Sequence, residues 1–170
     1  MAERAEREKS EFIEKVIEVK RVSKVVKGGR RFSFSALVVV GDGKGRVGFG
    51  MGKANEVIEA VRKGTEQGKK SMKAYPLYKN TIPHRVYGHH GASKVLMQPG
   101  PPGSGIISAG PVRAVVEALG IHDINVKALG STNAHNLVRS AIDGLAQLSS
   151  FASVAERRGK AVEDICSMEY

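Results

Sequence analysis

Residues 20–53 read KRVSKVVKGGRRFSFSALVVVGDGKGRVGFGMGK, and the rest of the chain is arranged around them. Residues 20–31 hold six cations, Lys20, Arg21, Lys24, Lys27, Arg30 and Arg31, together with Ser23, no acid, and a Gly28-Gly29 pair where the chain can bend. The expectation is a mobile basic loop. Phe32, Phe34, Ala36, Val38 and Val40 then alternate with Ser33, Ser35, Leu37 and Val39, the period-two signature of a strand. Asp42-Gly43-Lys44-Gly45 supplies residues that tolerate φ > 0 in a tight hairpin, and residues 46–51 return as the partner strand. Two strands thus hold the basic loop at one end and a second basic hairpin, with Lys44 and Arg46, at the other. On the returning strand Gly48, Gly50 and Gly52 share one face, opposite Val47, Phe49 and Met51. A strand face without side chains admits another backbone, either a helix or an RNA strand.

Toward the N-terminus, the β-branched content of residues 12–22 favours a further strand, which makes a three-stranded antiparallel sheet. Residues 1–11 mix charges with nothing to bury and are expected to be a disordered tail. Toward the C-terminus, Asn55 is a candidate N-cap for a helix whose stripe, Val57, Val61, Gly64, Gly68 and Met72, runs to about Tyr75. Its two interior glycines each cost about 1 kcal/mol against alanine, which implies close packing on the sheet. The other helix face carries Arg62, Lys63, Lys69, Lys70 and Lys73 and is either solvated or in contact with nucleic acid.

Prolines and turn residues over 76–83 mark a boundary, so residues 12–78 and 79–151 are expected to be two domains and 152–170 a tail. Residues 85–87 and 94–97 are expected to be strands joined by Gly88-His89-His90-Gly91. A Gly/Pro stretch over 99–105 leads into Ile106 and Ile107. Pro111 opens a helix with stripe Val112, Val115, Val116 and Leu119, closed by Gly120, and residues 121–129 form the next strand of a β-α-β unit. Ser131 or Thr132 is expected to cap a last long helix with a broad stripe from Leu137 to Leu148, and a short helix broken at Gly159 follows.

The charge balance is the unusual part of the composition. Lys plus Arg number 27 against 17 Asp plus Glu, a net +10, which favours a polyanionic partner because each neutralised phosphate releases counterions. No apolar run approaches the ~20 residues needed to span a bilayer. The lone Cys166 excludes an intramolecular disulfide and fits a reducing compartment, so the expected location is cytoplasmic. Glycines at 43, 45 and 48 match the dinucleotide pattern, but they open a strand where that motif must open a helix. His84, His89 and His90 are poorly spaced for a metal, there is no nucleophile elbow, and no carboxylate pair stands near a histidine except at His122-Asp123, whose context is a strand start. No catalytic residue, metal or cofactor is assigned. The glycines over 100–110 either cradle an anion ahead of a helix or pack against a protein. Gly130-Ser131-Thr132-Asn133 either caps a helix or also touches phosphate.

The string RVSKVVKGGRRFSFSALVVVGDGKGRVGFGMGKANEV, with GHHGASKVLMQP, GSGIISAGPVRAVVEALGIHDINVKALGSTN, HNLVRSAIDGL and RRGKAVEDI, resembles the bacterial form of the small-subunit ribosomal protein five family. The resemblance implies an α+β chain: a double-stranded-RNA-binding-like sheet and helix, then an α/β domain with a left-handed β-α-β crossover, against the usual hand. It also implies a structural role without enzymatic activity, binding 16S ribosomal RNA at the junction of body and head. Residues 22–31 would be the RNA-inserting loop, and Gly103, Gly105 and Arg113 would face small-subunit protein four. Protein eight would neighbour the second domain. With proteins three and four, the chain would line the messenger RNA entry path and influence translational accuracy. The expected RNA-binding set is Lys20, Arg21, Ser23, Lys24, Lys27, Gly28, Gly29, Arg30, Arg31, Lys44, Arg46, Lys53, Lys94, Lys127, Ser131, Thr132 and Asn133. The alternative is a free double-stranded-RNA-binding module outside any particle.

Overall fold

The computed structural model describes residues 12–166; the expected tail over 1–11 lies outside them. Strands β1 (Ile13–Val26), β2 (Gly29–Gly41), β3 (Arg46–Ala54) and β4 (Lys73–Ala74) form one sheet in that order, with helix α1 (Val57–Lys70) against it. A second sheet has the order β5-β6-β8-β7, from β5 (Val86–His90), β6 (Ser93–Pro99), β7 (Ile106–Ile107) and β8 (Ile124–Gly130). Helices α2 (Gly110–Leu119), α3 (Ala134–Ala146), α4 (Phe151–Arg158) and α5 (Val162–Cys166) complete the order.

The basic segment is not the expected loop. β1 and β2 stay paired out to Val26↔Gly29, so Lys27 and Gly28 alone make the turn of one long hairpin. Val22, Val25 and Val26 keep the β-branched character of β1 up to the turn, and the ladder continues with it. A bulge lies between Val16 and Glu18. The sheet has four strands where three were expected, because the chain leaving α1 turns back and lays Lys73 and Ala74 along the free edge of β3.

Helix α1 fills the glycine face of β3. A Cβ on Gly48 would stand 2.5 Å from the Gly68 carbonyl oxygen, and one on Gly50 or Gly52 would come closer still to the Gly64 and Ala60 carbonyls. The small residues Ala60, Gly64 and Gly68 therefore define the buried stripe. Val57, expected to begin that stripe, is 40% exposed, since the helix approaches along its smallest row. Glu56, not Asn55, occupies the N-cap position, and Asn55 Oδ1 accepts from the Ser33 hydroxyl at 3.4 Å. The helix also stops short of Tyr75, where the Ser71 hydroxyl donates to the Phe49 carbonyl at 2.8 Å.

In the second half, β5 runs on through Gly88, His89 and His90, and the turn falls at Gly91-Ala92. β7 and β8 are parallel neighbours joined through α2, the expected β-α-β unit. Gly120 closes α2 at φ 91°. The α3 cap is Asn133, not Ser131 or Thr132: its Oδ1 accepts from the His135 backbone N–H at 3.0 Å. The Ser131 backbone is instead tied to the β5–β6 turn, donating to the Ala92 carbonyl and accepting from the Ser93 hydroxyl.

The two sheets share one core. Alternate residues of β2 face opposite ways: Ala36, Val38 and Val40 pack with Ala60 under α1. Leu37 and Val39 join Val47, Val115, Leu119, Val126 and Leu145 of the larger cluster. β2 is thus buried on both faces, which is why 36–40 reads as a continuous apolar run.

Candidate nucleic-acid interface

Strand register sorts the basic hairpin into two faces. Ala36 pairs with Val19, so the α1 side of the hairpin carries Val19, Arg21, Ser23, Val25, Arg30 and Phe32. Leu37 pairs with Glu18, so the other side carries Lys20, Val22, Lys24, Arg31 and Ser33. Lys24 stands directly opposite Arg31, a like-charge pair that opposes folding of the hairpin. Among the described residues Lys24, Lys27, Arg30 and Arg31 have no acidic partner. Such unpaired, mutually repelling cations are what a phosphate backbone neutralises.

The other predicted residues separate into groups. Lys20 donates to Glu18 at 3.0 Å, and Lys20, Ser35 and Lys53 form one row across β1, β2 and β3. This row faces the start of α3: Lys20, Val22, Ser35, Asn133 and His135 line a common cleft. Lys44 and Arg46 lie at the far end of the sheet, with Arg46 about 23 Å along β3 from Lys53 at the usual strand rise. There Asp42 accepts from the backbone N–H groups of Lys44 and Arg46 at 2.8 and 2.9 Å and from the Arg46 side chain at 2.7 Å. Burial pushes the Asp42 carboxyl up, but these hydrogen bonds outweigh it and hold its pKa below the ordinary value. Lys94 and Lys127 are exposed on the second sheet, on the face opposite Val95, Met97 and Val126, where Lys94↔Leu129 and Leu96↔Lys127 are register pairs. Ser131 and Thr132 lie in the turn before α3.

Around the expected protein-four surface, Gly103 and Gly105 adopt φ of 85° and 69°, and the Gly105 N–H donates to buried Asp123 at 2.9 Å. Arg113 is in a different setting. It donates to Glu117 at 2.9 Å, Lys15 also donates to Glu117, and these residues line a cleft between β1 and α2. The Lys15 hydrogen bond, against the effect of burial and with help from Arg113, holds the Glu117 carboxyl below its ordinary pKa. His135 is likewise lowered, by burial first and then by Arg139 and His90. Sequence reasoning assigned Phe32 only to the strand repeat, yet its ring lies under the Arg21 guanidinium at 3.8 Å and is 47% exposed. The available signal was that the stripe runs past the last core residue into an acid-free segment.

Two known sequence patterns match this chain: "Ribosomal protein S5, N-terminal domain" over residues 12–76 and "Ribosomal protein S5, C-terminal domain" over 88–158. The chain is 54% identical to small ribosomal subunit protein uS5 of Syntrophobacter fumaroxidans, over 91% of this chain and 93% of that one. The chain belongs to the ribosomal protein S5 family. It is 56% identical to the uS5 proteins of Ruegeria sp., over 95% of this chain and 88% of that one, and of Granulibacter bethesdensis, over 94% and 85%. As a member of the S5 family it is a structural, RNA-binding constituent of the small ribosomal subunit and not an enzyme. The antiparallel sheet with one helix and the mixed sheet with several correspond to the two S5 regions.

Proposed function

We propose that this chain holds 16S ribosomal RNA at the junction of body and head through the β1–β2 hairpin. Lys24, Lys27, Arg30 and Arg31 meet phosphate, and Lys20, Lys53 and the start of α3 extend the same surface. The observation that carries this reading is the set of four exposed cations, without acidic partners among the described residues, at the tip of a continuously paired hairpin. Gly103, Gly105 and Arg113 face small-subunit protein four, and residues 79–151 neighbour protein eight. With proteins three and four the chain borders the messenger RNA entry path and contributes to translational accuracy.

Replacing Lys24, Lys27, Arg30 and Arg31 together with alanine tests the hairpin's role. The log-log salt dependence of 16S RNA binding should flatten by about 3 to 4, at roughly 0.7–0.9 per phosphate contact. An unchanged slope removes the hairpin from the RNA contacts. Sedimentation of the tagged chain through a lysate gradient tests particle membership: stable migration with the small subunit after a high-salt wash supports it, and migration at the top indicates a free RNA-binding module.

A further inference from the structure

Burial in the core does not account for the placement of Phe32. It lies on the α1 side of β2, the face of Ala36, Val38 and Val40, but Ala36 is the last fully buried residue there. Phe34 still packs against that cluster, whereas Phe32, one step farther along the face, stands beyond it and opposite Ser23. A large apolar ring left in water forfeits the burial that normally justifies it. With the Arg21 guanidinium already 3.8 Å from the ring centroid, 47% of the residue remains accessible. Arg30 follows on the same face, paired with Val25, which is 72% exposed. The patch is therefore an aromatic ring with one cation stacked on it and another beside it, within an acid-free segment.

That combination selects its occupant. A purely apolar protein surface would have to bury Arg21 and Arg30, which have no acidic partner among the described residues, and a continuous RNA duplex offers phosphates but no accessible base face. An unpaired nucleotide supplies both parts: its base extends an Arg–Phe–base stack, and its phosphate meets the neighbouring guanidinium groups. We propose that Phe32, braced by Arg21, is a stacking platform for an unpaired base of the RNA that the hairpin binds. This rests on the RNA-binding reading of the hairpin and adds to it a recognition of unpaired structure that cations alone do not provide.

The test uses the full chain titrated with 16S ribosomal RNA and, separately, with a continuous RNA duplex. Phe32→Leu keeps an apolar side chain without a π face, and because the position is exposed it should fold as the parent does by circular dichroism. Its affinity for 16S RNA should fall by about 5- to 150-fold, the usual range for losing one base–aromatic stack, with an unchanged salt slope. Duplex affinity should stay within about twofold. Phe32→Trp introduces the only tryptophan of the chain, should bind as tightly as the parent, and its emission should be quenched when RNA is added. The proposal is overturned if Phe32→Leu binds 16S RNA within about twofold of the parent, if it loses duplex affinity to the same degree, or if the indole emission of the Phe32→Trp variant is unmoved at saturation. Retained RNA affinity combined with failure to enter the small subunit would assign the ring to a protein neighbour and also overturns it. Failure of the broader reading is read separately, from the salt slope of the four-cation variant.

Discussion

A methyl group added at Gly52 would meet the backbone of α1 at Ala60 and Gly64, and backbone cannot step aside as a flexible side chain can. Gly52→Ala should therefore cost up to about 3 kcal/mol by urea denaturation. Gly28, in the hairpin turn, meets nothing within 4 Å and has no positive φ, so Gly28→Ala should stay within about 0.5 kcal/mol. Its neighbour Gly29 is equally open but sits at φ 115°, so Gly29→Ala should cost about 1–2 kcal/mol through backbone conformation alone. Acidity acts on single residues too. His135 titrates below its ordinary 6.5 in the fold, so the unfolded chain takes up the proton first and stability falls as pH drops through and below 6.5. Glu117 has its pKa lowered from 4.5, so its contribution is complete above 4.5 and is lost as pH falls below that through the folded value. Melting curves of Glu117→Gln should lack that lower part of the acid loss while keeping the part due to His135.

Within elements, caps and cross-strand pairs decide. Asn133→Ala removes the side chain that accepts from His135 N–H and should lower stability by about 1 kcal/mol, while Thr132→Ala should leave the melting temperature unchanged. The sequence around α3 showed that a cap was present but not which residue supplied it. Ser131, Thr132 and Asn133 are all competent, and the choice followed from the pairing of the Ser131 backbone with the β5–β6 turn. The hairpin sets stability against binding. Lys24→Glu would place opposite charges across from each other at Arg31, which should raise stability at low salt by about 0.2–1 kcal/mol and weaken RNA binding. Calorimetry and an RNA titration on the same sample check both signs.

For the molecule as a whole, the shared core sets the unit of folding. Leu37 and Val39 of the first sheet are buried among Val115, Leu119 and Leu145 of the second half, and the Gly43 and Gly45 N–H groups donate to the Ala118 and Leu119 carbonyls at 3.0 Å. Leu37→Ala should cost about 2–5 kcal/mol and shift one common calorimetric transition. Two transitions, only one of them displaced, would show that the halves unfold independently. The residues alone determined the alternation of β2, the glycine face of β3, the β-α-β unit and the excess of cations, because each is a local pattern written in periodicity or charge. Whether a helix or RNA filled the glycine face, whether the basic segment was loop or ladder, and which cations lacked partners were decided only in three dimensions. Each depends on what the fold brings from elsewhere in the chain: the Ala60, Gly64 and Gly68 row of α1, the continuous pairing of β1 with β2, and the position of the described acids relative to the hairpin.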